Sequence, residues 1–146
     1  LDGGPSLVGV ESTIIDCTSS APRILRPGAI TAEMIEAATG AALTEEGSQI
    51  RVSGALENHY APAAKVFLDI QPQAGDGFIA LAKVETPQGV VRLAAPTSHE
   101  DFARSLYAAL RSADQQKLAR VVVHQPIGDD IAVAIRDRLH KASNGR

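Results

Sequence analysis

GGPSLVGVESTIID, residues 3–16, is the stretch of this 146-residue chain that decides how its first part folds. Its apolar residues, which predict a strand buried on both faces, are Leu7, Val8, Val10, Ile14 and Ile15. Three polar residues, Glu11 to Thr13, interrupt that pattern just after Gly9, whose missing side chain allows another group to approach the backbone. A buried polar atom without a partner costs about 1–3 kcal/mol. Either the neighbouring sheet satisfies these groups or a polar ligand does.

A second stretch, RILRPGAI at residues 23–30, supplies a complementary charge. Arg26 precedes Pro27, which favours an extended backbone, and Pro27-Gly28 predicts a type II turn. A guanidinium held on such a turn suits a phosphate or carboxylate, because its fork of donors binds oxyanions in a bidentate way. A surface arginine beside a tight turn is the other interpretation, since arginine is common at domain surfaces. The residues alone leave both open.

Three motifs carry a resemblance to a known family. GGPSLVGVESTIID and RILRPGAIT, residues 3–16 and 23–31, resemble the C-terminal part of the YrdC-type domain of threonylcarbamoyl-AMP synthases. SGALENHYAP, residues 53–62, resembles the linker to a second, smaller domain of the two-domain members. The remaining residues resemble that second domain, so the resemblance covers essentially the whole chain.

The resemblance implies an α/β fold in three parts. Residues 1–52 are expected to be the C-terminal part of the YrdC-type catalytic domain, a partial twisted-sheet α/β segment. Residues 53–64 are expected to form a linker or lid, and residues 65–146 a small Rossmann-like α/β domain with a mostly parallel sheet. Because the chain has no initiator Met and begins directly at a strand pattern, we expect it to be a C-terminal fragment of a larger protein.

The residue patterns agree with this division. Strand patterns at 66–70, 78–84, 90–94 and 120–124 alternate with helical ones, which implies right-handed crossovers and a mostly parallel sheet. The first long helix is predicted to follow a capping box from Thr97 to Glu100. A short earlier helix is predicted over 32–39, between an N-cap at Thr31 and Gly40. Residues predicted to be buried in the two long helices are Phe102, Leu106, Leu110, Ile131, Ala134, Ile135 and Leu139.

Composition narrows the functional class. The net charge of −3 and the pI near 5.8 lack the basic footprint of a nucleic-acid binder. Cys17 is the only cysteine, so no intrachain disulfide forms, and its apolar neighbours predict a small core residue. No apolar run approaches ~20 residues, which favours a cytoplasmic protein with no membrane partner. No metal-ligand motif occurs, so no protein-bound metal is expected.

The resemblance also implies an activity. Enzymes of this family are nucleotidyltransferases that convert ATP, with Mg²⁺ on the nucleotide, L-threonine and bicarbonate into threonylcarbamoyl-AMP and pyrophosphate. The product feeds the machinery that makes threonylcarbamoyladenosine in tRNA, while direct tRNA binding by this chain is left open. The family's Lys/Arg-rich N-terminal portion is absent here, so the chain alone is expected to be inactive.

Site residues are implied by the motifs. Ser12 resembles the residue that hydrogen-bonds threonine, whereas Arg26 and Tyr60 resemble residues that bind ATP. Weaker candidates, near the site by sequence only, are Ser6, Thr13 and His59. No catalytic residue is assigned.

Two functions of other classes remain as alternatives. One is a non-catalytic nucleotide- or RNA-binding module, although the acidic charge speaks against RNA. The other is a stabilising appendage whose last domain only anchors the linker.

Overall fold

The computed structural model of the chain describes residue 4 and residues 6–44 and 62–144. The first part contains strands β1 (Ile14–Asp16) and β2 (Arg23–Arg26), which pair antiparallel, and helix α1 (Ala32–Thr39). The later elements are β3 (Lys65–Leu68), β4 (Gly77–Ile79), β5 (Val91–Ala94), α2 (His99–Gln115), β6 (Arg120–Val123) and α3 (Ala132–Asn144). Among the described residues, no helix is long and apolar enough to span a membrane.

The second sheet has four strands in the order β3-β6-β4-β5, and every pairing in it is parallel. This confirms the predicted α/β fold with a mostly parallel sheet. Both long helices pack on one face of the sheet, where Val66, Ile79, Val121 and Val123 share a core with residues of α2 and α3. The residues that the sequence predicted to be buried in the two long helices are all buried, namely Phe102, Leu106, Leu110, Ile131, Ala134, Ile135 and Leu139, although Ile131 directly precedes α3.

On the opposite face of this sheet, the hydrophobic cluster includes no residue of the helices that the structure describes. Phe78 and Val122 are fully buried there, with Phe67, Val84 and Val90 packed around them. The Arg92 guanidinium lies 4.9 Å from the centre of the Phe78 ring, and the Arg120 guanidinium lies 4.7 Å from that of Phe67. Burial lowers the pKa of Arg92, whose nitrogens donate to the carbonyl oxygens of residues 80, 81, 84 and 94. Cation–π contacts therefore cover the aromatic rings on this face.

The first part of the chain differs from the prediction in three places. The strand predicted in the stretch 3–16 is confirmed only for Ile14–Asp16 and is wrong for the described residues before it, where Leu7 is 89% exposed. Cys17 is exposed directly after β1, so its assignment to the core is also wrong. Gly28 does not have the positive φ that a type II turn requires. Its small size serves close packing instead, as shown for the site below.

The helix ends follow local side-chain chemistry. α1 begins and ends as predicted, since the Thr31 hydroxyl accepts from the Met34 amide and Gly40 has a φ of 69°. The cap of α2 lies one residue later than predicted. Ser98 accepts from the Asp101 amide, and the Asp101 carboxylate accepts from the Thr97 amide. The Ser98–Asp101 pair therefore supplies the N-cap bond of a capping box, whereas the Asp101 carboxylate bonds back to the Thr97 amide, one residue before the cap.

The three-part domain division stays a prediction. Of the proposed linker at 53–64, only residues 62–64 lie within the described part of the chain.

Candidate functional site

Two segments predicted to carry the site lie against each other. We name them the GVEST segment, residues 9–13, and the RPGAI segment, residues 26–30. A Cβ atom on Gly28 would lie 2.4 Å from the backbone nitrogen of Thr13 and 2.5 Å from the carbonyl oxygen of Glu11. The Thr13 hydroxyl also donates to the Ile30 carbonyl oxygen at 2.6 Å. The absence of a side chain at Gly28 thus lets the two main chains meet.

Arg26, the first residue of the RPGAI segment, holds Ser12 of the GVEST segment. Its Nε donates to the Ser12 carbonyl oxygen at 3.0 Å, and its Nη2 donates to the Ser12 hydroxyl oxygen at 3.2 Å. Arg26 is only 9% exposed, whereas Ser12 is exposed. A hydroxyl that accepts from arginine retains its own proton for donation, and the adjacent positive charge favours an anionic acceptor. The pair can therefore present a donor to a carboxylate.

The weaker candidates have local partners. The Ser6 hydroxyl accepts from the Gly9 amide at 3.2 Å, and Thr13 joins the two segments as described above. The structure therefore brings Ser12, Thr13 and Arg26 together. His59 and Tyr60 lie outside the described residues, so their assignments stay predictions, as does the ATP contact of Arg26.

The GVEST segment rests on the helices of the second part of the chain. A Cβ atom on Gly9 would lie 2.3 Å from the Cα atom of Arg104, so this glycine allows the close approach that its position predicted. The approaching group is the backbone of α2 rather than a ligand. Val10 and Ala29 pack against the core that α2 and α3 form with the sheet. The predicted site is therefore joined to the parallel-sheet unit by direct packing.

Glu11 makes polar contacts that the sequence analysis did not predict. The Tyr107 hydroxyl lies 3.0 Å from both carboxylate oxygens of Glu11, and the Arg138 Nε lies 3.4 Å from Oε2. One sequence signal could have found Arg138. Arg138 lies seven residues after Ile131, on the buried face of the predicted helix, and an arginine on that face needs a buried partner.

A concave region apart from these residues lies at the carboxyl ends of the parallel strands. An open cavity of about 590 Å³ is lined there by residues 81–83, 97–100 and 130. The His99 Nδ1 lies 2.8 Å from the Asp130 carboxylate. The pKa of Asp130 is lowered mainly by a hydrogen bond from the Ala132 amide and to a smaller extent by the hydrogen bond with His99. With Lys83 and Glu100 also present, the lining carries charges of both signs. Such a lining selects neither anions nor cations.

Comparison with known proteins adds to this geometry. The family model described as the threonylcarbamoyl-AMP synthase C-terminal domain matches residues 30–144. The threonylcarbamoyl-AMP synthase of Bacillus subtilis (strain 168) is 32% identical, over 100% of this chain and 49% of the relative. That of Pyrococcus abyssi (strain GE5 / Orsay) is 30% identical, again over 100% of this chain and 49% of the relative. The chain thus spans about half the length of these relatives.

Solved structures give the same picture. P. abyssi Sua5 complexed with L-threonine matches with a TM-score of 0.77 and 28% identity, over 99% of this chain and 49% of that one. A variant of P. abyssi Sua5, in which an adjacent histidine and tyrosine are both replaced by alanine, matches with a TM-score of 0.75 and 25% identity. That match covers 99% of this chain and 48% of the variant.

Proposed function

Since the chain belongs to the threonylcarbamoyl-AMP synthase family, we propose that its protein makes threonylcarbamoyl-AMP from ATP, L-threonine and bicarbonate. The product would serve threonylcarbamoyladenosine formation in tRNA, in the cytoplasm. The names of the relatives support a nucleotidyltransferase of this kind, and they do not favour a non-catalytic binding module.

The Ser12–Arg26 pair is the observation that carries the proposal. P. abyssi Sua5 has been crystallised with L-threonine, and threonine carries a carboxylate at neutral pH. We propose that this carboxylate accepts from the Ser12 hydroxyl, within the field of the guanidinium behind it. The charged pair would hold the amino acid while its amine reacts.

The reaction itself needs positioning and charge stabilisation. The threonine amine forms a bond to the carbon of bicarbonate with loss of water, and the resulting carbamate oxygen attacks the α-phosphorus of ATP. The bond from that phosphorus to the β-phosphate oxygen breaks, and pyrophosphate leaves with the electron pair. Cations around the phosphates and the exclusion of water favour this step. We propose that Mg²⁺ accompanies the nucleotide.

The nucleotide half of the site is proposed from sequence. Tyr60, with His59 beside it, is the adjacent histidine–tyrosine pair of this chain, and such a pair was replaced in the P. abyssi variant. We propose that Tyr60 contributes to ATP binding, together with the positive charge of Arg26.

Replacement of Ser12 tests the threonine proposal. In the protein as its gene encodes it, Ser12→Ala should weaken L-threonine binding about tenfold or more, because a hydrogen bond to a charged group contributes about 1.5–3 kcal/mol. Calorimetric titration with L-threonine measures this change. Ser19→Ala is the matched control, since Ser19 is exposed and its hydroxyl donates to the carbonyl oxygen of Ala21, two residues away. Equal threonine affinities of a folded Ser12→Ala variant and the parent would refute the assignment.

A further inference from the structure

Glu11 makes polar contacts between the predicted threonine site and both long helices of the parallel-sheet unit. Glu11 directly precedes Ser12, and its carboxylate accepts a hydrogen bond from the hydroxyl of Tyr107 on α2. From α3, Arg138 places Nε 3.4 Å from Oε2 and Nη1 3.5 Å from Oε1. Two helices of one unit thus converge on a single side chain of the other part of the chain.

Burial makes this contact hard to break. The Arg138 side chain is 3% exposed and that of Glu11 is 24% exposed, so water screens the pair poorly. Asp137 also lies 3.0 Å from the Arg138 guanidinium. A buried guanidinium that loses a carboxylate partner is destabilised, so the free energy of folding favours a fixed Glu11.

The backbone on each side of Glu11 is confined as well. Gly9 lies against the backbone of α2, and the position of a Gly28 Cβ would be 2.5 Å from the Glu11 carbonyl oxygen. The next carbonyl oxygen, that of Ser12, accepts from Arg26. A shift of Glu11 would therefore carry the Ser12 backbone and hydroxyl with it.

We propose that Tyr107 and Arg138 are positioning residues for the threonine site. Through Glu11 they fix the orientation in which Ser12 presents its hydroxyl, so the parallel-sheet unit contributes directly to substrate binding. This inference rests on the proposed binding of threonine at Ser12.

Arg138→Met is the main test, in the protein as its gene encodes it. The variant keeps most of the aliphatic volume and removes the charge that holds Glu11. We expect the Kd and KM for L-threonine to rise about tenfold, as for the loss of one charge-assisted hydrogen bond, with kcat at saturating threonine nearly unchanged. Arg138→Lys, which restores the charge without the planar fork, should bind threonine with intermediate affinity.

Arg136→Met is the matched control on the same helix. Arg136 donates to the carbonyl oxygens of Pro126 and Gly128 at 2.8 Å each, away from Glu11. Its loss should lower Tm and leave the threonine Kd unchanged. A merely structural role of Arg138 would make the two variants behave alike.

A double-variant cycle shows whether Arg138 acts through Glu11. If it does, Glu11→Gln combined with Arg138→Met should bind threonine no more weakly than Glu11→Gln alone. Additive losses of affinity would overturn the inference. Tyr107→Phe, which removes only one hydroxyl, gives a second and milder variant should Arg138→Met fail to fold.

Amide hydrogen exchange separates this inference from the proposed function. Faster exchange over residues 9–13 in Arg138→Met, together with weaker threonine binding, would support the inference. Unchanged exchange and unchanged threonine affinity in the folded variant would overturn it, even with Ser12 confirmed. If the parent protein itself bound no threonine, the proposed function would be overturned. Faster exchange over residues 9–13 in Arg138→Met would then still show that Arg138 anchors Glu11.

Discussion

At the scale of single residues, Gly9 and Gly28 matter because they let main chains touch. Gly9 lies on the backbone of α2 and Gly28 lies on the backbone of residues 11–13, so the GVEST segment is confined from both sides. The two glycines differ in one respect. Gly9 has a φ of +81°, which favours glycine by itself, whereas Gly28 is required for lack of space only.

Gly28→Ala should therefore disturb the site by crowding. The added Cβ meets backbone atoms that cannot rotate away, and we expect the free energy of unfolding to fall by about 1–3 kcal/mol. The bonds from Arg26 to Ser12 should be lost as well, with weaker threonine binding as a result. Urea unfolding and calorimetric titration measure the two effects.

Gly40→Ala is the control for that substitution. Gly40 has a φ of +69° and no atom within 4 Å of its added Cβ, so it tests backbone strain without crowding. Its cost should be about 1 kcal/mol, with threonine affinity unchanged. A Gly28→Ala variant as stable as the parent would show that the two segments do not pack as described.

The residue scale also shows what a sequence can reveal about a site. Ser12, Thr13 and Arg26 were predicted from two motifs, and the structure brings them together because those motifs are close in the chain. The partners of Glu11 were missed. Tyr107 and Arg138 lie 96 and 127 positions away from it. The helical pattern could have marked Arg138 as buried, but no local pattern identifies Glu11 as its partner.

At the scale of elements, the sequence at the start of α2 permits two N-cap positions, one residue apart. Thr97 and Ser98 are both favourable N-caps, and each is followed after three residues by a carboxylate. The sequence pattern thus permits either register, and the cap was predicted one residue early. Strand lengths were overestimated for a different reason, since apolar residues in 7–16 and 80–84 do not ensure a partner strand, and Leu7 is exposed.

Ser98→Ala tests whether Ser98 is the N-cap residue of α2. Loss of the hydroxyl that accepts from the Asp101 amide should cost about 1 kcal/mol of unfolding free energy. Thr97→Ala should cost clearly less, because its side chain lies 3.4 Å from the Asp101 carboxylate while its backbone amide makes the 2.9 Å bond. Denaturant unfolding of both variants compares them, and a larger loss for Thr97→Ala would contradict the observed cap.

At the scale of the whole molecule, alternating strand and helix patterns predicted the parallel sheet, because a parallel pair needs a long crossover. The strand order β3-β6-β4-β5 was not predicted, since pairing depends on contacts between distant residues. The packing of the first part of the chain on α2 and α3 was also unforeseen. Its apolar residues had suggested a sheet partner instead.

Carboxyl groups in different parts of the chain make the free energy of unfolding depend on pH in the acid range. Hydrogen bonds from Thr18 lower the pKa of Asp16. Hydrogen bonds from its own backbone amide and from the Ser98 side chain lower the pKa of Glu100. A hydrogen bond from the Ala132 amide lowers the pKa of Asp130. A carboxyl group with a lowered folded-state pKa stabilises the fold above its unfolded pKa. That stabilisation is lost as the pH falls through the folded value.

The protein should therefore lose stability below about pH 4, near and below the ordinary aspartate value of 3.8. Asp130→Asn keeps an oxygen that can accept from Ala132 but removes the ionisation, so its unfolding free energy should depend less steeply on pH in that range. Denaturant unfolding between pH 2.5 and 6 gives both curves. Parallel curves for the variant and the parent would exclude Asp130 as a contributor.

The arginine-covered face of the parallel sheet has a consequence for self-association. Such a sheet would ordinarily need helices on both faces, but the cluster around Phe78 and Val122 includes no residue of a described helix. The guanidinium groups of Arg92 and Arg120 lie over the rings there. Two copies that approached each other through these faces would bring their Arg92 guanidinium groups together around apolar rings, whereas each Arg120 is paired with Asp76 of its own chain. We therefore expect the Arg92 side chains that cover the rings to oppose self-association through this face.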